Sequence, residues 1–526
     1  MTTVGEQLVE WLEAYGVDTV FGIPGVHTVE MYRGLARSSI RHMTPRHEQG
    51  AGFMADGYWR ATGRVAACFV ITGPGLTNIL TPMAQAYADS VPMLVVSAVN
   101  RRAALGLGAG DLHEIRNQSV IAAQAAAFSH SLTDPGQLGD VLARAWAVFQ
   151  SARPRPVHIE IPVDMFSMPA VGGVIRAPSI APPQPPQAEL ARAVAQLKEA
   201  ERPLILVGGG AKAARIAPLA EHLGAPVVMT TNGRGILAHD HPLAVPASPS
   251  LECIRQLIAE ADVVLAAGTE MGRTDYDMYD RADPCFPGSL IRIEIDPEQM
   301  NRGAVPDLAL CGDAATGISR MLEMMDGTTR PVDDRAAAAS EAAIREIGGT
   351  YRRSLDFLER IRDALPHAPI VGDSTQSVYA GNLYYGAPAP SLWFGAATGY
   401  GALGYGFPAA IGAARATGGP AVCLAGDGGL QFSLAELGLA VEEALPVILI
   451  VWDNSGYGEI KSYMVQNQIT PVGVDLHTPD FIGLAKAYGA ASASVGSLDD
   501  LPVLLGEAAA RQGPTVLYLP EQVVLG

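Results

Sequence analysis

Two short segments late in the chain carry acidic and amide residues that suit a metal-bound phosphate site. One begins GDGGLQF and contains Asp427, and the other reads DNSGYG and contains Asn454. A carboxylate, an amide oxygen and one backbone carbonyl, which we assign to Gly456, are the hard oxygen ligands that Mg²⁺ prefers, and phosphate oxygens complete such a site. These residues therefore predict a magnesium ion that bridges a diphosphate.

The glycines beside Asp427 fit the same role. Gly428 and Gly429 have no side chains, so their amides can approach phosphate oxygens at the start of a helix that we expect near Ser433. The positive end of that helix would help to hold the anion. Each segment alone is equally well explained by a tight turn. The site is favoured because each segment follows a buried strand, with 26 residues between Asp427 and Asn454.

The strands that position these residues belong to a pattern that recurs along the chain. Short apolar, β-branched runs ending in Gly or Pro are typical of buried parallel strands, and alanine-rich helical stretches such as 77–89 separate them. Asp427 and Asn454 each follow such a run, so both should reach the carboxyl edge of one sheet, where α/β proteins bind ligands. The runs lie at 68–75, 93–98, 157–162, 203–210, 226–230, 263–268, 290–296, 369–373, 421–429, 447–454 and 515–520.

Two segments without strand-like periodicity divide these runs into three groups. Residues 167–187 are rich in proline, and residues 325–345 mix turn formers, charges and alanines, so both are predicted linkers. The predicted fold is therefore α/β, with three doubly wound parallel-sheet domains at 1–166, 188–324 and 346–526. A chain of 526 residues is too long for one core and agrees with about three domains.

The composition excludes several classes of partner. A formal net charge of −18 disfavours nucleic acid and anionic membrane surfaces, because both reward basic patches. No apolar run reaches the roughly 18 to 20 residues that span a bilayer, and the N-terminus lacks the basic start and apolar run of a signal peptide. The five cysteines are scattered without a CxxC pair, which favours a reducing, cytoplasmic setting.

Together these motifs resemble those of thiamine diphosphate enzymes, over essentially the whole chain. The resemblance implies a pyrimidine-binding first domain, a Rossmann-like middle domain and a diphosphate-binding last domain, as in acetolactate synthases and 2-oxo acid decarboxylases. It implies thiamine diphosphate and Mg²⁺ as cofactors, with Asp427, Asn454 and Gly456 as metal ligands and Tyr457 as a further cofactor contact. One departure is visible, because Asp453 stands where the family has the first of two asparagines.

The first domain carries the residues that the resemblance connects with cofactor activation. In RHEQGAGFMADGYWRATG, Glu48 precedes a helix whose small residues allow close packing. It resembles the family's glutamate, which protonates the aminopyrimidine ring so that the thiazolium proton can be removed. The glycine-rich segment ITGPGLTN offers Asn78 as a polar contact to the cofactor. Without this context, Glu48 would be a solvated surface charge and the glycines a simple turn.

Two segments of the last domain complete the implied cofactor site. In GYGALGYGFPAAIG, Leu403 stands where the family uses a bulky apolar residue to hold the cofactor bent, and the carbonyl of Gly401 could accept from its amino group. In GDSTQSVY, Gln376 is the implied contact to the diphosphate. The family joins the pyrimidine domain of one subunit to the diphosphate domain of another. The resemblance therefore implies a homodimer or homotetramer with active sites between subunits.

The loop GAGDLHEIRNQ stands where acetolactate synthases carry Phe-Gln-Glu and pyruvate decarboxylases carry two histidines. Histidine is the side chain that most readily exchanges protons near neutral pH, so His113 could relay a proton to the reacting carbon. His27 and Glu114 are the other catalytic candidates in the first domain. Ile460 stands where pyruvate decarboxylases place a catalytic glutamate, so proton delivery must differ here, and the neighbouring Glu459 could also serve.

The substrate is a small 2-oxo acid in every version of this family's chemistry. The run GVDTVFGIPGVHTVEMYRGL, with AYADSVPMLVVSAVNRR, most resembles 2-ketoarginine decarboxylases of arginine catabolism. Such lyases convert 5-guanidino-2-oxopentanoate to 4-guanidinobutanal and CO₂. A guanidinium tail would require a carboxylate, preferably a bidentate one, and the candidates are Asp111, Glu114 and Glu459. The alternative is a carboligase that resembles acetolactate synthase and acts on pyruvate, whereas a non-catalytic relative is disfavoured because the activating and metal-binding residues are intact.

The middle domain contains two glycine clusters, VGGGAKAAR and AAGTEMGR. They could bind FAD, as in synthase relatives, or belong to an empty Rossmann-like scaffold. Lone glycine clusters of this kind are weak evidence for a nucleotide. We therefore favour the empty scaffold over FAD.

Overall fold

The computed structural model of the chain describes residues 2–172, 176–177, 179–279, 281–325, 327, 329–396 and 399–526. Parts of both predicted linkers, at 173–175, 178, 326 and 328, lie outside the described residues. The rest forms three parallel sheets of six strands with flanking helices, which confirms the predicted fold class. Each predicted run coincides with an observed strand. Within these ranges, no helix has the length and apolarity needed to cross a membrane.

The first domain is built on strands β1 Thr19–Gly22, β2 Arg41–Met43, β3 Ala67–Val70, β4 Leu94–Val99, β5 Phe128–Ser131 and β6 Val157–Pro162. Its helices are α1 Val4–Ala14, α2 Val29–Leu35, α3 Glu48–Thr62, α4 Pro74–Ala88, α5 Gln118–Ala122, α6 Leu138–Ser151 and α7 Val163–Phe166. The sheet order is β2-β1-β3-β4-β6-β5. Because β1 and β3 are parallel neighbours, the loops that follow them open at one edge of the sheet, beside the point where the strand order reverses.

The middle domain contains strands β7 Pro203–Val207, β8 Val227–Met229, β9 Ala244–Val245, β10 Val263–Ala267, β11 Ser289–Glu294 and β12 Leu308–Cys311. Its helices are α8 Gln187–Glu199, α9 Ile216–Leu223, α10 Glu252–Ala259, α11 Arg273–Tyr276 and α12 Ala314–Glu323. The order is β12-β11-β10-β7-β8-β9, so the direction in which successive strands are added to the sheet reverses between β7 and β10. Both glycine clusters noted in the sequence follow these two central strands.

The last domain contains strands β13 Ile370–Gly372, β14 Trp393–Gly395, β15 Ala421–Gly426, β16 Val447–Asp453, β17 Ala491–Ser494 and β18 Thr515–Pro520. The helices are α13 Arg335–Glu346, α14 Gly348–Ala364, α15 Gln376–Leu383, α16 Gly406–Thr417, α17 Asp427–Leu430, α18 Leu437–Glu442, α19 Gly458–Gln466, α20 Phe481–Tyr488, α21 Leu501–Ala509 and α22 Glu521–Leu525. The order β14-β13-β15-β16-β18-β17 repeats that of the first domain. Helix α13 lies inside the second predicted linker and packs on the middle domain, and the domain boundaries stay predictions.

Helices α3 and α16 join the first and last domains into one hydrophobic core. A β-carbon built on Gly57 would lie 2.0 Å from the carbonyl oxygen of Ala409, and one built on Gly412 would lie 2.0 Å from that of Met54. Only glycine at these two positions lets the helices approach so closely. The expected close packing of the small residues after Glu48 is therefore present, and the partner is a helix of the diphosphate-binding domain.

One buried side chain, Arg60 at the end of α3, contacts all three domains. Its Nε and Nη2 donate to Asp56 and Asp89 of the first domain, both at 2.6 Å. Its Nη1 donates to Asn232 of the middle domain at 3.1 Å, and its guanidinium lies 5.8 Å from the ring centre of Tyr405 in the last domain. One paired cation therefore adds a contact common to all three domains to the apolar core that joins the first and the last.

Candidate active site

The predicted metal ligands meet at the carboxyl ends of the neighbouring strands β15 and β16. The side-chain oxygen of Asn454 lies 2.9 Å from the carbonyl oxygen of Gly456 and 3.3 Å from Asp427 Oδ1. Three oxygens that face one another need either a cation between them or a reversed amide whose nitrogen donates to both acceptors. Separations of about 3 Å are those of adjacent ligands around Mg²⁺ bound at about 2.1 Å. The three oxygens therefore fit a hard divalent cation.

Two carboxylates lie close together at this edge. Burial raises the pKa of Asp427, and the nearby charge of Asp453 raises it further, against the opposing effect of backbone amides. The hydroxyl of Thr478 is 3.4 Å from both carboxylates. Asp453, which departs from the family pattern, accepts from the amide of Ser455 at 2.8 Å and from the hydroxyl of Tyr518. Asp453 is therefore hydrogen-bonded within its own domain, and a cation beside Asp427 would relieve the repulsion between the two acids.

The turn that would face a diphosphate is α17, which begins ahead of Ser433. A helical segment begins at Ser433 as predicted, because this residue precedes the 3₁₀ turn Leu434–Glu436, which continues into α18. Gly428 and Gly429 do not lie at the start of that segment but inside the earlier turn α17. A β-carbon on Gly428 would lie 2.8 Å from the ring of Tyr457, and one on Gly429 would lie 3.8 Å from Leu403 Cδ2. Tyr457 and Leu403 therefore both border this turn.

Asp373, which the sequence reasoning missed, holds the loop that carries Leu403. It follows β13 and is buried, and its carboxylate accepts from the amides of Gly404 at 3.3 Å and Gly406 at 3.0 Å. Burial raises its pKa, while these backbone amides oppose the shift. Its position in the sequence could have identified it, because Asp373 directly follows β13 just as Asp427 directly follows the neighbouring strand β15.

A second missed residue, Gln85 of α4, reaches the same loop from the first domain. Its Oε1 accepts from the amide of Ala402 at 3.1 Å, and its Nε2 donates to the carbonyl of Ala396 at 3.4 Å. The loop around Leu403 is thus held by two domains of one chain. No local pattern marks Gln85, since it lies in an ordinary amphipathic helix.

Glu48 is the first residue of α3 and is 9 % exposed. Asn78 of α4 donates from Nδ2 to Glu48 Oε2 at 2.9 Å. The two predicted residues are therefore brought together, and Asn78 contacts the carboxylate. A carboxylate in the first turn of a helix is also stabilised by the helix dipole.

Two histidines lie in loops at the carboxyl edge of the first domain's sheet. His27 lies in the loop after β1, and His113 lies in the loop after β4. His27 Nδ1 is 2.9 Å from Thr72 Oγ1, and the His27 and His113 rings meet edge to face with centres 5.6 Å apart. Burial lowers the pKa of His27, the charge of His113 adds to this, and Asp111 opposes it. His27 is therefore neutral near pH 7. Gly73, at φ +67°, allows the His113 carbonyl to pack against it.

The two acidic residues of this loop have different surroundings. Glu114 Oε2 accepts from the backbone amides of Gly110 at 2.7 Å and Asp111 at 3.2 Å, so it caps its own loop. Asp111 Oδ1 is 3.6 Å from Arg101, and its Oδ2 is buried without a hydrogen-bond partner among the described residues. Asp111 therefore keeps one buried oxygen without a hydrogen-bond partner among the described residues, whereas the Glu114 carboxylate is engaged by its own loop.

Four other predicted residues are accessible to solvent in the chain. Glu459 and Ile460 are exposed on α19, a helix without buried residues. Gly401 is exposed at φ +75°, and Gln376 is half-buried at the start of α15. Gln376 shares the sheet edge with Asp427, because β13 and β15 are neighbours.

A cavity of about 630 Å³ opens where the middle domain meets the first domain. Its lining includes Gly208, Gly268 and Lys212 from the two glycine clusters, and Arg153 from the first domain. It lies beyond the carboxyl ends of the adjacent strands β7 and β10, where the strand order reverses. This is the usual ligand position in doubly wound sheets. Its volume is in the range of small-molecule sites. The preference for an empty scaffold over FAD stays a prediction.

Three family models match consecutive parts of the chain. Their descriptions are thiamine pyrophosphate enzyme, N-terminal TPP binding domain, at residues 2–121; central domain, at 190–321; and C-terminal TPP binding domain, at 373–519. Thiamine pyrophosphate is another name for thiamine diphosphate.

Curated relatives match over nearly the whole chain. A Pseudomonas aeruginosa protein named "Probable 2-ketoarginine decarboxylase AruI" is 45 % identical over 98 % of this chain and 94 % of its own. The acetolactate synthase large subunit of Parasynechococcus marenigrum is 31 % identical over 99 % of this chain and 87 % of its own. Acetolactate synthase isozyme 1 large subunit of Escherichia coli is 28 % identical over 98 % and 93 %.

Proposed function

Because this chain belongs to the thiamine diphosphate enzyme family, we propose that it is a non-oxidative decarboxylase, a carboxy-lyase that converts 5-guanidino-2-oxopentanoate to 4-guanidinobutanal and CO₂. The observation that carries the proposal is the 45 % identity, over 98 % of the chain, with the relative named a probable 2-ketoarginine decarboxylase. The site geometry adds a carboxylate suited to a cationic substrate tail.

The cofactor is assigned to the two sheet edges described above. When bound, thiamine diphosphate supplies the electron sink that accepts the electron pair left behind by CO₂. Asp427, Asn454 and the carbonyl of Gly456 would hold Mg²⁺ with the diphosphate. The amides of Gly428 and Gly429 would approach the phosphate oxygens.

Glu48 would share a proton with the pyrimidine ring of the cofactor. Asn78 supports this role, because its amide donates to one carboxylate oxygen and leaves the other oxygen for the ring. Leu403 would support the cofactor from the opposite side, where Asp373 and Gln85 hold its loop. In these roles the residues would position the cofactor or exchange a proton with it, whereas the cofactor itself would be the electron sink.

Asp111 is our assignment for the guanidinium of the substrate. Its Oδ2 has no partner among the described residues, and its contact with Arg101 is long enough, at 3.6 Å, for a substrate cation to compete. Glu114 is already hydrogen-bonded to its own loop. We assign proton delivery to His113, since His27 is held neutral by burial and its Nδ1 is engaged by Thr72.

We also propose that the site is completed by a second copy of the chain, as a homodimer or homotetramer. Support comes from apolar side chains that border both halves of the site and are exposed in the chain. Beside the pyrimidine half these are Val26, Leu107 and Leu112, and beside the diphosphate half they are Phe432, Tyr463 and Val465. Covering them with a partner would bury both sets at once.

A cytoplasmic setting and a place in arginine catabolism stay predictions, and the free cysteines are consistent with the former.

The test is to incubate purified protein with thiamine diphosphate, Mg²⁺ and either 5-guanidino-2-oxopentanoate or pyruvate, and to measure CO₂, aldehyde and acetolactate. We expect CO₂ and 4-guanidinobutanal from the guanidino acid and little acetolactate from pyruvate. The second candidate is the carboligase, favoured by the synthase relative at 31 % identity. Acetolactate from pyruvate, with the guanidino acid untouched, would replace the proposal with that candidate.

A further inference from the structure

Glu436 contacts the turn that carries Glu48, although it belongs to the last domain. It lies on the 3₁₀ turn Leu434–Glu436, between α17 and α18, and is 1 % exposed. Its Oε1 accepts from the backbone amides of Arg46 at 3.0 Å and His47 at 3.1 Å, and its Oε2 accepts from Arg46 at 3.0 Å. A carboxylate of the diphosphate-binding domain thus holds the two residues that precede Glu48.

The fit around this carboxylate is close. A β-carbon built on Gly50 would lie 2.3 Å from Glu436 Oε1, so the first turn of α3 admits the carboxylate only because residue 50 is glycine. The amides at the start of a helix have no partner within it, and the dipole of a 15-residue helix such as α3 favours a negative charge there. Glu436 therefore satisfies amides that the helix itself leaves free.

The side chains of Arg46 and His47 bind groups other than Glu436. The guanidinium of Arg46 donates to the carbonyl of Thr44 at 2.8 Å and pairs with Glu442 at 2.5 Å. Its charge and its backbone amide, with that of His47, oppose the burial that raises the pKa of Glu436 to about 7. The side chain of His47 accepts from the amide of Gln49. The contact of Glu436 is therefore with the backbone before Glu48.

We propose that Glu436 is a positioning residue, which fixes the backbone of Arg46 and His47 and so holds the Glu48 carboxylate in place for the pyrimidine ring. Glu48 is then fixed from two sides, by Glu436 through the main chain and by Asn78 through its carboxylate. This inference rests on the proposed role of Glu48.

The test compares Glu436→Ala and Glu436→Gln with a matched control, Glu442→Gln. Glu442 is 59 % exposed and binds the side chain of Arg46 rather than its amide. Three quantities are measured: hydrogen exchange of the residue 46 and 47 amides without cofactor, the exchange rate of the thiazolium proton of bound thiamine diphosphate, and the cofactor dissociation constant. None of the three requires a substrate.

We expect Glu436→Ala to speed the exchange of both amides about tenfold and to slow thiazolium proton exchange about tenfold, as for the loss of one or two buried hydrogen bonds. The dissociation constant should change less than about threefold, because the diphosphate ligands are untouched. Glu436→Gln keeps one acceptor oxygen and should give smaller changes in the same directions. Glu442→Gln should leave all three quantities unchanged.

Faster amide exchange with an unchanged thiazolium rate would overturn the proposal and make Glu436 a structural residue only. Unchanged amide exchange would overturn it as well, by showing that the contact does not form. If Glu436→Ala does not fold, Glu436→Gln alone decides between these outcomes. Failure of the proposed function is a separate result, because a protein that does not decarboxylate a guanidino acid can still exchange the thiazolium proton under the control of Glu436.

Discussion

Recognition of the substrate tail by Asp111 can be tested with Asp111→Asn, which keeps the shape of the side chain and removes its charge. A hydrogen bond to a charged group contributes about 1.5 to 3 kcal/mol. The side chain is 30 % exposed and has Arg101 at 3.6 Å, so water and a competing cation reduce the gain. We therefore expect the lower part of this range, about 1.5 to 2 kcal/mol, or about a 10- to 30-fold loss in kcat/KM.

The assay is the ratio of kcat/KM for 5-guanidino-2-oxopentanoate to that for 2-oxooctanoate, whose tail has a similar length but carries no charge. The ratio isolates the tail, since the acid group and the cofactor chemistry are the same for both substrates. The charge of Asp111 also raises the pKa of His27, so its removal lowers that pKa further. This effect acts on both substrates equally and cancels in the ratio.

Two matched variants complete the test. Glu114→Gln weakens the cap on the loop, including its hydrogen bond to the amide of Asp111, so it should lower kcat/KM for both substrates and reduce the ratio less than Asp111→Asn does. Glu459→Gln should change neither quantity, since the substrate tail is assigned to Asp111 and no role is assigned to Glu459. A ratio within about twofold of the wild-type value in Asp111→Asn would refute the assignment. A change in the ratio for Glu459→Gln would instead place the substrate tail against α19.

Three further outcomes follow from the same geometry. Glu48→Gln should still bind thiamine diphosphate but exchange the thiazolium proton slowly, as followed by proton NMR, and an unchanged rate would remove Glu48 from its role. Asp427→Asn should weaken Mg²⁺-dependent cofactor binding at least about tenfold by calorimetry, and equal binding with and without a chelator would argue against the metal site. Arg60→Leu removes the cation that pairs with two buried carboxylates and should cost about 3 to 5 kcal/mol, seen as a lower urea midpoint. The exposed pair of Arg64 is the control, since Arg64→Leu should cost at most about 1 kcal/mol.

Some features of this protein are determined locally and can be read from the sequence. An apolar, β-branched run followed by a glycine-rich turn specifies a buried strand and its end within about ten residues. Parallel strands bring their carboxyl ends to one edge, so the pattern of the chain alone is enough to place Asp427 and Asn454 together. The fold class follows from such local signals, and the predicted metal ligands rest on the same reasoning. The helical turn α17 did not follow from them, and the side chains that border it, Tyr457 and Leu403, come from other segments of the chain.

What only the tertiary structure decided is which of several similar side chains is free to act. Asp111 and Glu114 stand three positions apart with equivalent chemistry, yet one caps its loop and the other keeps an oxygen without a partner among the described residues. Glu436 lies 390 positions from Arg46 and still accepts its amide hydrogen bond. Such contacts cannot be predicted from the local sequence, because burial and hydrogen-bond partners are set by elements that meet only when the domains pack together.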